Sequence, residues 1–196
     1  MVDLLLEIYK RSETVFTVSM LEQLAGGVSG NRLRDRLRYY VRVGKLLRAV
    51  QGVYVKPGFE PLELGNKLYT PSYVSLETIL LREGITFQAY FTTYFLISYL
   101  TRERKVGNYS YHYRRIKNSI LTNTTGVVEN NGVFEATKER AFLDALYIYK
   151  DYHFDNLGGL DWNKIRDWVE LYESETMKAR VESYYRDYQE EWDVKR

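Results

Sequence analysis

SGNRLRDRLRYYVRVGKLLRAVQGVYVK, residues 29–56, reads as a helix followed by a β-hairpin. Ser29 is a capping residue type, and Leu33, Leu37, Tyr40 and Val41 recur at helical spacing to make one apolar stripe. Gly44 stands where a left-handed C-terminal cap belongs after a helix that runs to Val43. Beyond it Leu47, Val50, Val53 and Val55 are strand-type residues set around the turn-prone pair Gln51-Gly52. Arg32, Arg34, Arg36, Arg38, Arg42, Lys45, Arg48 and Lys56 stand against one acid, Asp35, so this stretch carries +7 in a chain whose total is +2. A polyanion is the partner that such a concentration of charge suits best.

A helical wheel sorts these cations. At about 100° per residue, with Leu33 and Leu37 inward, Asn31, Arg34, Asp35, Arg38 and Arg42 lie opposite the stripe. Arg32 and Tyr39 fall on one flank, and Arg36 lies closer to the buried side. The N-terminal half of such a helix enters the major groove, which makes Asn31, Arg34 and Arg38 the candidates for reading bases. Arg32, Arg42, Lys45, Arg48 and Lys56 are assigned to phosphates, and Gln51 at the hairpin tip to the backbone or the minor groove. Asp35 either accepts from a cytosine amino group or holds Arg32 or Arg38 by an ion pair three residues apart; the second is favoured. A basic helix face is often merely solvated. The order of capped helix, Gly-Gly turn, basic helix and glycine-tipped hairpin is what favours DNA.

The whole chain has 196 residues, 45% of them apolar, enough for one large domain or two small ones. The absence of cysteine excludes disulfides and thiolate metal sites and fits a reducing cytoplasm. Acids at Asp3 and Glu7 stand where a signal peptide carries basic residues. The longest nearly uncharged apolar run, residues 89–100, is too short to cross a bilayer, so a soluble, cytoplasmic protein with no membrane partner is expected. Net charge falls from +5 over residues 1–58 to +1 over 59–135 and −4 over 136–196, which suggests separate duties for the two ends.

Ahead of the basic helix, Asp3 is placed to cap a first helix that ends near Arg11. After a loop, Thr17 is placed to cap a short second one, stopped by Gly26-Gly27, the sharp turn that a helix-turn-helix needs. Residues 1–58 thus read as a winged helix-turn-helix DNA-binding domain. Pro57-Gly58 and Pro61 mark a boundary. Residues 59–196 read as a mixed α/β domain with a small antiparallel sheet and C-terminal helices, making the chain α+β overall. In that part Ser75 caps a helix closed by Gly84, and residues 87–95 are aromatic and β-prone. Gly107-Asn108 and Asn130-Asn131-Gly132 each predict a hairpin. Thr137 introduces a helix over 138–149, and helical segments follow at 161–171 and 175–192.

Catalytic chemistry is hard to find. His112 and His153 are the only histidines, and neither has ligand spacing to another His or a carboxylate cluster, so no metal site and no cofactor are expected. The glycines form no phosphate loop. Asp151, Asp155 and Asp161 are loosely spaced and read as loop acids, while Glu139 and Asp144, five residues apart, share no helix face. The chain is therefore expected to bind, not to catalyse. Tyr109, Tyr111 and Tyr113 with Arg114 and Arg115 raise a second idea, a stacking platform for single-stranded RNA. Alternating tyrosines on a hairpin are more often half-buried against a helix, the favoured reading. Arg114, Arg115 and Lys117 are kept as auxiliary nucleic-acid contacts.

Four segments in order, LRDRLRYYVRVGKLLRAVQGVYV, YVSLETILLREGI, GNYSYHYRRI and ATKERAFLDALYIY, span most of residues 17–149. Together they resemble the AbiEi-type antitoxins of bacterial type IV toxin–antitoxin systems. The resemblance implies an N-terminal winged helix that represses its own operon, a C-terminal domain associated with antitoxin activity, and a co-encoded nucleotidyltransferase-like toxin. It also implies double-stranded operator DNA as the partner, with inverted repeats expected if two copies bind. An antitoxin that acts by binding the toxin protein directly, or an RNA-binding regulator, stands as the alternative. The chain departs from the family in carrying Val50 and Gln51 where basic residues often precede the hairpin glycine. It also has Lys138 where a proline commonly starts the helix.

Overall fold

Asp3 opens the first helix, α1 (Leu4–Lys10), its carboxylate accepting from the Leu5 and Leu6 amides. The computed structural model describes residues 3–88, 91–149 and 151–194. Strand β1 (Val15–Thr17) leads into α2 (Val18–Leu24), whose Met20 amide donates to the Thr17 hydroxyl. Gly26 and Gly27, at φ 67° and 84°, turn the chain into α3 (Gly30–Arg42). Ser29 takes the N-cap position of α3 without a side-chain hydrogen bond, and Gly44 follows its end at φ 71°. Strands β2 (Leu47–Val50) and β3 (Val53–Val55) form the expected hairpin. β1 pairs antiparallel with β3, giving a three-stranded sheet in the order β1-β3-β2. The sequence reading leaves β1 as loop, because three residues are too few to show a period of two; pairing with Tyr54 and its neighbours makes it a strand.

The apolar stripes of these helices close on one core of Leu4, Ile8, Phe16, Leu21, Leu33, Leu37 and Leu46. Full burial of each leucine contributes about 1.5–3 kcal/mol, which fixes how α3 is rolled and therefore which arginines point outward.

The second part starts with α4 (Pro61–Leu68), where the proline read as a boundary marker occupies the first helical turn. Next come β4 (Ser72–Val74), α5 (Leu76–Arg82), β5 (Thr93–Ser98), β6 (Arg102–Val106) and β7 (Tyr109–Arg115). A single turn, α6 (Asn118–Leu121), precedes β8 (Val127–Asn130) and β9 (Val133–Ala136). The chain continues through α7 (Lys138–Ile148), α8 (Trp162–Trp168), a 3-10 turn (Val169–Tyr172) and α9 (Glu175–Val194). Positions 89 and 90 of the aromatic run lie outside the described residues.

Both expected hairpins form, as β6-β7 and β8-β9. They belong to one six-stranded sheet in the order β6-β7-β5-β4-β9-β8. It is larger than the small antiparallel sheet expected for this part, and mixed, because β5 pairs parallel with β7 and β4 parallel with β9. The small antiparallel sheet of the molecule is the first one. α4 covers the face carrying Leu96, Tyr111 and Tyr113, with Gly65 packed against Tyr111, while α5 packs on β5 and α7.

The two parts share core. Val15, Val53 and Val55 of the first sheet pack into the larger cluster, while the helices of the first part keep their own. Glu63 of α4 accepts from the Thr14 amide and hydroxyl at 2.8 and 2.6 Å, from the Val15 amide at 3.3 Å and from Lys67 at 3.0 Å.

Candidate nucleic-acid interface

α3 turns Asn31, Arg32, Arg34, Arg38 and Arg42 to solvent, and Arg36 is half-buried, as the wheel predicts. Arg34 donates to the Asn31 side-chain oxygen at 3.3 Å, one turn back, which aligns the two groups along the exposed face. Arg38 donates to Asp35 at 3.4 Å, the ion-pair role preferred for that acid. Both partners stay more than two-thirds exposed, so the pair is weak and Arg38 is free to exchange it for a stronger acceptor. The Arg42 guanidinium sits 5.5 Å over the Tyr39 ring.

The hairpin adds exposed Arg48 and, at its tip, exposed Gln51. A cleft of about 530 Å³ opens between α3 and the hairpin, with Arg34, Arg38, Arg48 and Gln51 on its walls and Val18 and Tyr54 toward α2 and β3. Lys45, also exposed, lies in the link between α3 and β2, where its carbonyl accepts from Tyr9 at 2.7 Å and ties α1 to that link. Seven of the nine residues assigned to DNA thus stand on α3 or the hairpin, open to solvent, with Lys45 beside them.

Lys56 does not join this set. Its ammonium donates to the Arg11 carbonyl at 2.7 Å and lies 5.5 and 5.6 Å from the Tyr9 and Phe16 rings. Burial pushes its pKa below the usual lysine range, against the pull of Glu13 and Glu63. Its half-buried ammonium is engaged at the end of α1, tying that end to β3. Nor do the auxiliary cations extend the α3 face. Arg114 is half-buried over Tyr149, at 5.9 Å, while Arg115 and Lys117 border a separate cleft to which α3 contributes nothing.

The tyrosine hairpin is a packing surface. Tyr111 and Tyr113 are fully covered, and their hydroxyls donate to the Pro61 and Gly65 carbonyls of α4 at 3.0 and 2.7 Å. Burial raises both phenol pKa values, and neither ring is open to a nucleobase. Among the described residues no three His, Asp or Glu side chains converge as metal ligands. Asp155 accepts from the Phe87 amide at 2.8 Å and Asp161 caps α8, both structural tasks.

Sequence reasoning missed the most deeply buried charge. Arg140 and Asp144, both wholly buried on α7, pair at 3.3 Å. Asp144 also accepts from Ser75 and Tyr172 at 2.7 Å each and from Tyr73 at 3.2 Å. Arg140 donates onward to the Ile120 and Thr125 carbonyls. The available signal is an Arg and an Asp four residues apart inside the apolar segment KERAFLDALYI.

No protein-family model matches the chain, and no curated protein matches it. No helix among the described residues is long and apolar enough to cross a membrane.

Proposed function

We propose that residues 1–58 are a winged helix-turn-helix and that the chain is a sequence-specific, double-stranded DNA-binding autorepressor, cytoplasmic and acting by binding. The observation that carries this reading is the cleft between α3 and the hairpin, where Arg34, Arg38, Arg48 and Gln51 converge, three cations against one lining acid, Glu22. Two short helices, a basic helix and a hairpin sheet in this order support it, since such a helix fits the major groove while the hairpin reaches the flanking backbone. Asn31, Arg34 and Arg38 read bases; Arg32, Arg42, Lys45 and Arg48 neutralise phosphates. Footprinting on the DNA upstream of its own gene tests this directly. Protection is expected for the native chain and is lost in Arg34→Ala/Arg38→Ala; an identical footprint from that variant sinks the assignment of α3.

The second part is proposed as the antitoxin portion, directed at a co-encoded nucleotidyltransferase-like toxin, and rests on the resemblance of its three segments. Co-expression with such a neighbouring gene should restore growth. Direct contact with the toxin has an observation in its favour: an apolar cleft of about 440 Å³ lined by Pro71, Leu121 and the exposed Phe134, beside the edge strand β8. Joint purification of the two proteins at micromolar concentration would support contact, and its absence would leave repression as the route.

A further inference from the structure

β5 and β7 run parallel and finish side by side, Ser98 opposite Arg115. The Ile116 amide donates to the Ser98 carbonyl at 3.1 Å, and the Arg115 amide to the Thr101 hydroxyl at 3.1 Å, which fixes the two strand exits against each other. Past these carboxyl ends opens a cleft of about 420 Å³ lined by Tyr99, Arg115, Ile116, Lys117, Asn118 and Tyr147. The region beyond the carboxyl ends of parallel strands is where open sheets hold ligands, and the size falls within the range of small-molecule sites.

The lining has a definite chemistry. Arg115 and Lys117 are exposed, and among the described residues no carboxylate lines the cleft to neutralise them, so its mouth favours an anion. Buried Ile116 forms an apolar floor. Tyr99, a residue 47% exposed, offers one ring. Tyr147 offers a second, backed at 5.4 Å by Tyr172, whose hydroxyl is held by buried Asp144. Asn118 adds an amide with both donor and acceptor capacity. Two cations, two aromatic faces and one carboxamide match a planar heterocycle that carries phosphate.

We propose that this cleft binds a free nucleotide, its phosphates on Arg115 and Lys117, its base against the tyrosine rings, and Asn118 on the base or ribose edge. The assignment does not depend on the DNA-binding reading, because it uses none of the α3 or hairpin residues.

Isothermal titration of the full chain with ATP, GTP, CTP and UTP, each alone, tests it, with inorganic triphosphate, the free nucleosides and a 5′-phosphorylated trinucleotide as comparison arms. At least one nucleotide is expected to bind with Kd below about 1 mM. Arg115→Ala/Lys117→Ala and Tyr99→Ala should each weaken it by about tenfold or more, with unchanged melting curves because all three side chains reach solvent. Arg34→Ala/Arg38→Ala should bind like the native chain. Silence from all four nucleotides overturns the proposal, as does equal affinity for inorganic triphosphate, or binding that survives the cleft variants and disappears with the α3 variant. Tighter binding of the trinucleotide than of any mononucleotide overturns the free-nucleotide assignment.

Discussion

Asp144 shows how one side chain can hold several elements at once. Its two oxygens accept from Ser75, Tyr73, Tyr172 and Arg140, so the start of α5, β4, the 3-10 turn and α7 meet on a single carboxylate. Removing one member of a buried pair leaves the other charge without compensation, which costs about 3–5 kcal/mol. Asp144→Ala should therefore lower the urea midpoint far more than Arg140→Met/Asp144→Leu, which removes both charges; equal losses would show that packing and not charge sets the cost. Glu77 is a different case, because its buried Oε2 has no hydrogen-bond partner among the described residues. Burial pushes its carboxyl pKa above the ordinary 4.5, and the pull of its own amide, the Tyr149 hydroxyl, Arg114 and His112 does not cancel that. The folded chain then holds this proton more firmly than the unfolded chain does. The resulting stability is complete below 4.5 and is lost as pH rises through the raised value. Glu77→Gln should melt close to the native chain near pH 4 and above it at about pH 8. A gap that stays the same across this range would mean that the carboxylate is ionised at no cost.

At the scale of elements, α3 and its hairpin divide labour in a way that salt can measure. With Lys56 committed to the Arg11 carbonyl, the phosphate set on the DNA-binding reading is Arg32, Arg42, Lys45 and Arg48. Four contacts predict a log-affinity against log-salt slope of about −4. Arg48→Ala should flatten it by roughly one, whereas Lys56→Ala should leave the slope alone and lower the melting temperature. Arg38→Ala should cost about 1–3 kcal/mol and relax specificity, while Lys45→Ala weakens all sequences alike. A shallower slope with Lys56→Ala would put that lysine back on DNA. The legible elements are those with a local signature: α3 through its apolar stripe and caps, the hairpins through their glycine turns, α7 through its apolar face. α4 escaped because Pro61, a helix-starting residue, stands among loop signals at Pro57-Gly58. β1 and the order of the six-stranded sheet escaped because both depend on partners distant in sequence, Val55 for Val15 and Ser110 for Thr93. Most of the candidate DNA face followed from one helical wheel. What failed there was Lys56, whose neighbours Tyr9, Arg11 and Phe16 are more than forty residues away or nearly so, and no wheel contains them.

Across the whole molecule the two parts meet through chemistry as well as packing. Glu63, 1% exposed, collects the Thr14 amide and hydroxyl, the Val15 amide and the Lys67 ammonium, and Lys67 donates in turn to the Val15 carbonyl at 3.0 Å. Around that polar knot Val15, Val53 and Val55 insert into the larger core. Since the strand that braces the hairpin is the strand that Glu63 holds, α4 supports the geometry of the α3 cleft from behind. Glu63→Ala takes the acceptor from the buried Val15 amide and the part-buried Thr14 amide and leaves Lys67 only the Val15 carbonyl, a loss of about 1–3 kcal/mol, felt by the smaller part first because it has the smaller core. Tryptophan makes this measurable: Trp162, Trp168 and Trp192 all lie in the second part, whereas helical circular dichroism reports on both. In the native chain the two signals should change together on urea titration, as expected when Glu63 and the three inserted valines couple the two cores. In Glu63→Ala part of the helical signal should disappear at a lower urea concentration than the tryptophan shift. Coincident curves in the variant would mean that the shared valines alone couple the two parts, and separate curves already in the native chain would mean that Glu63 never joined them.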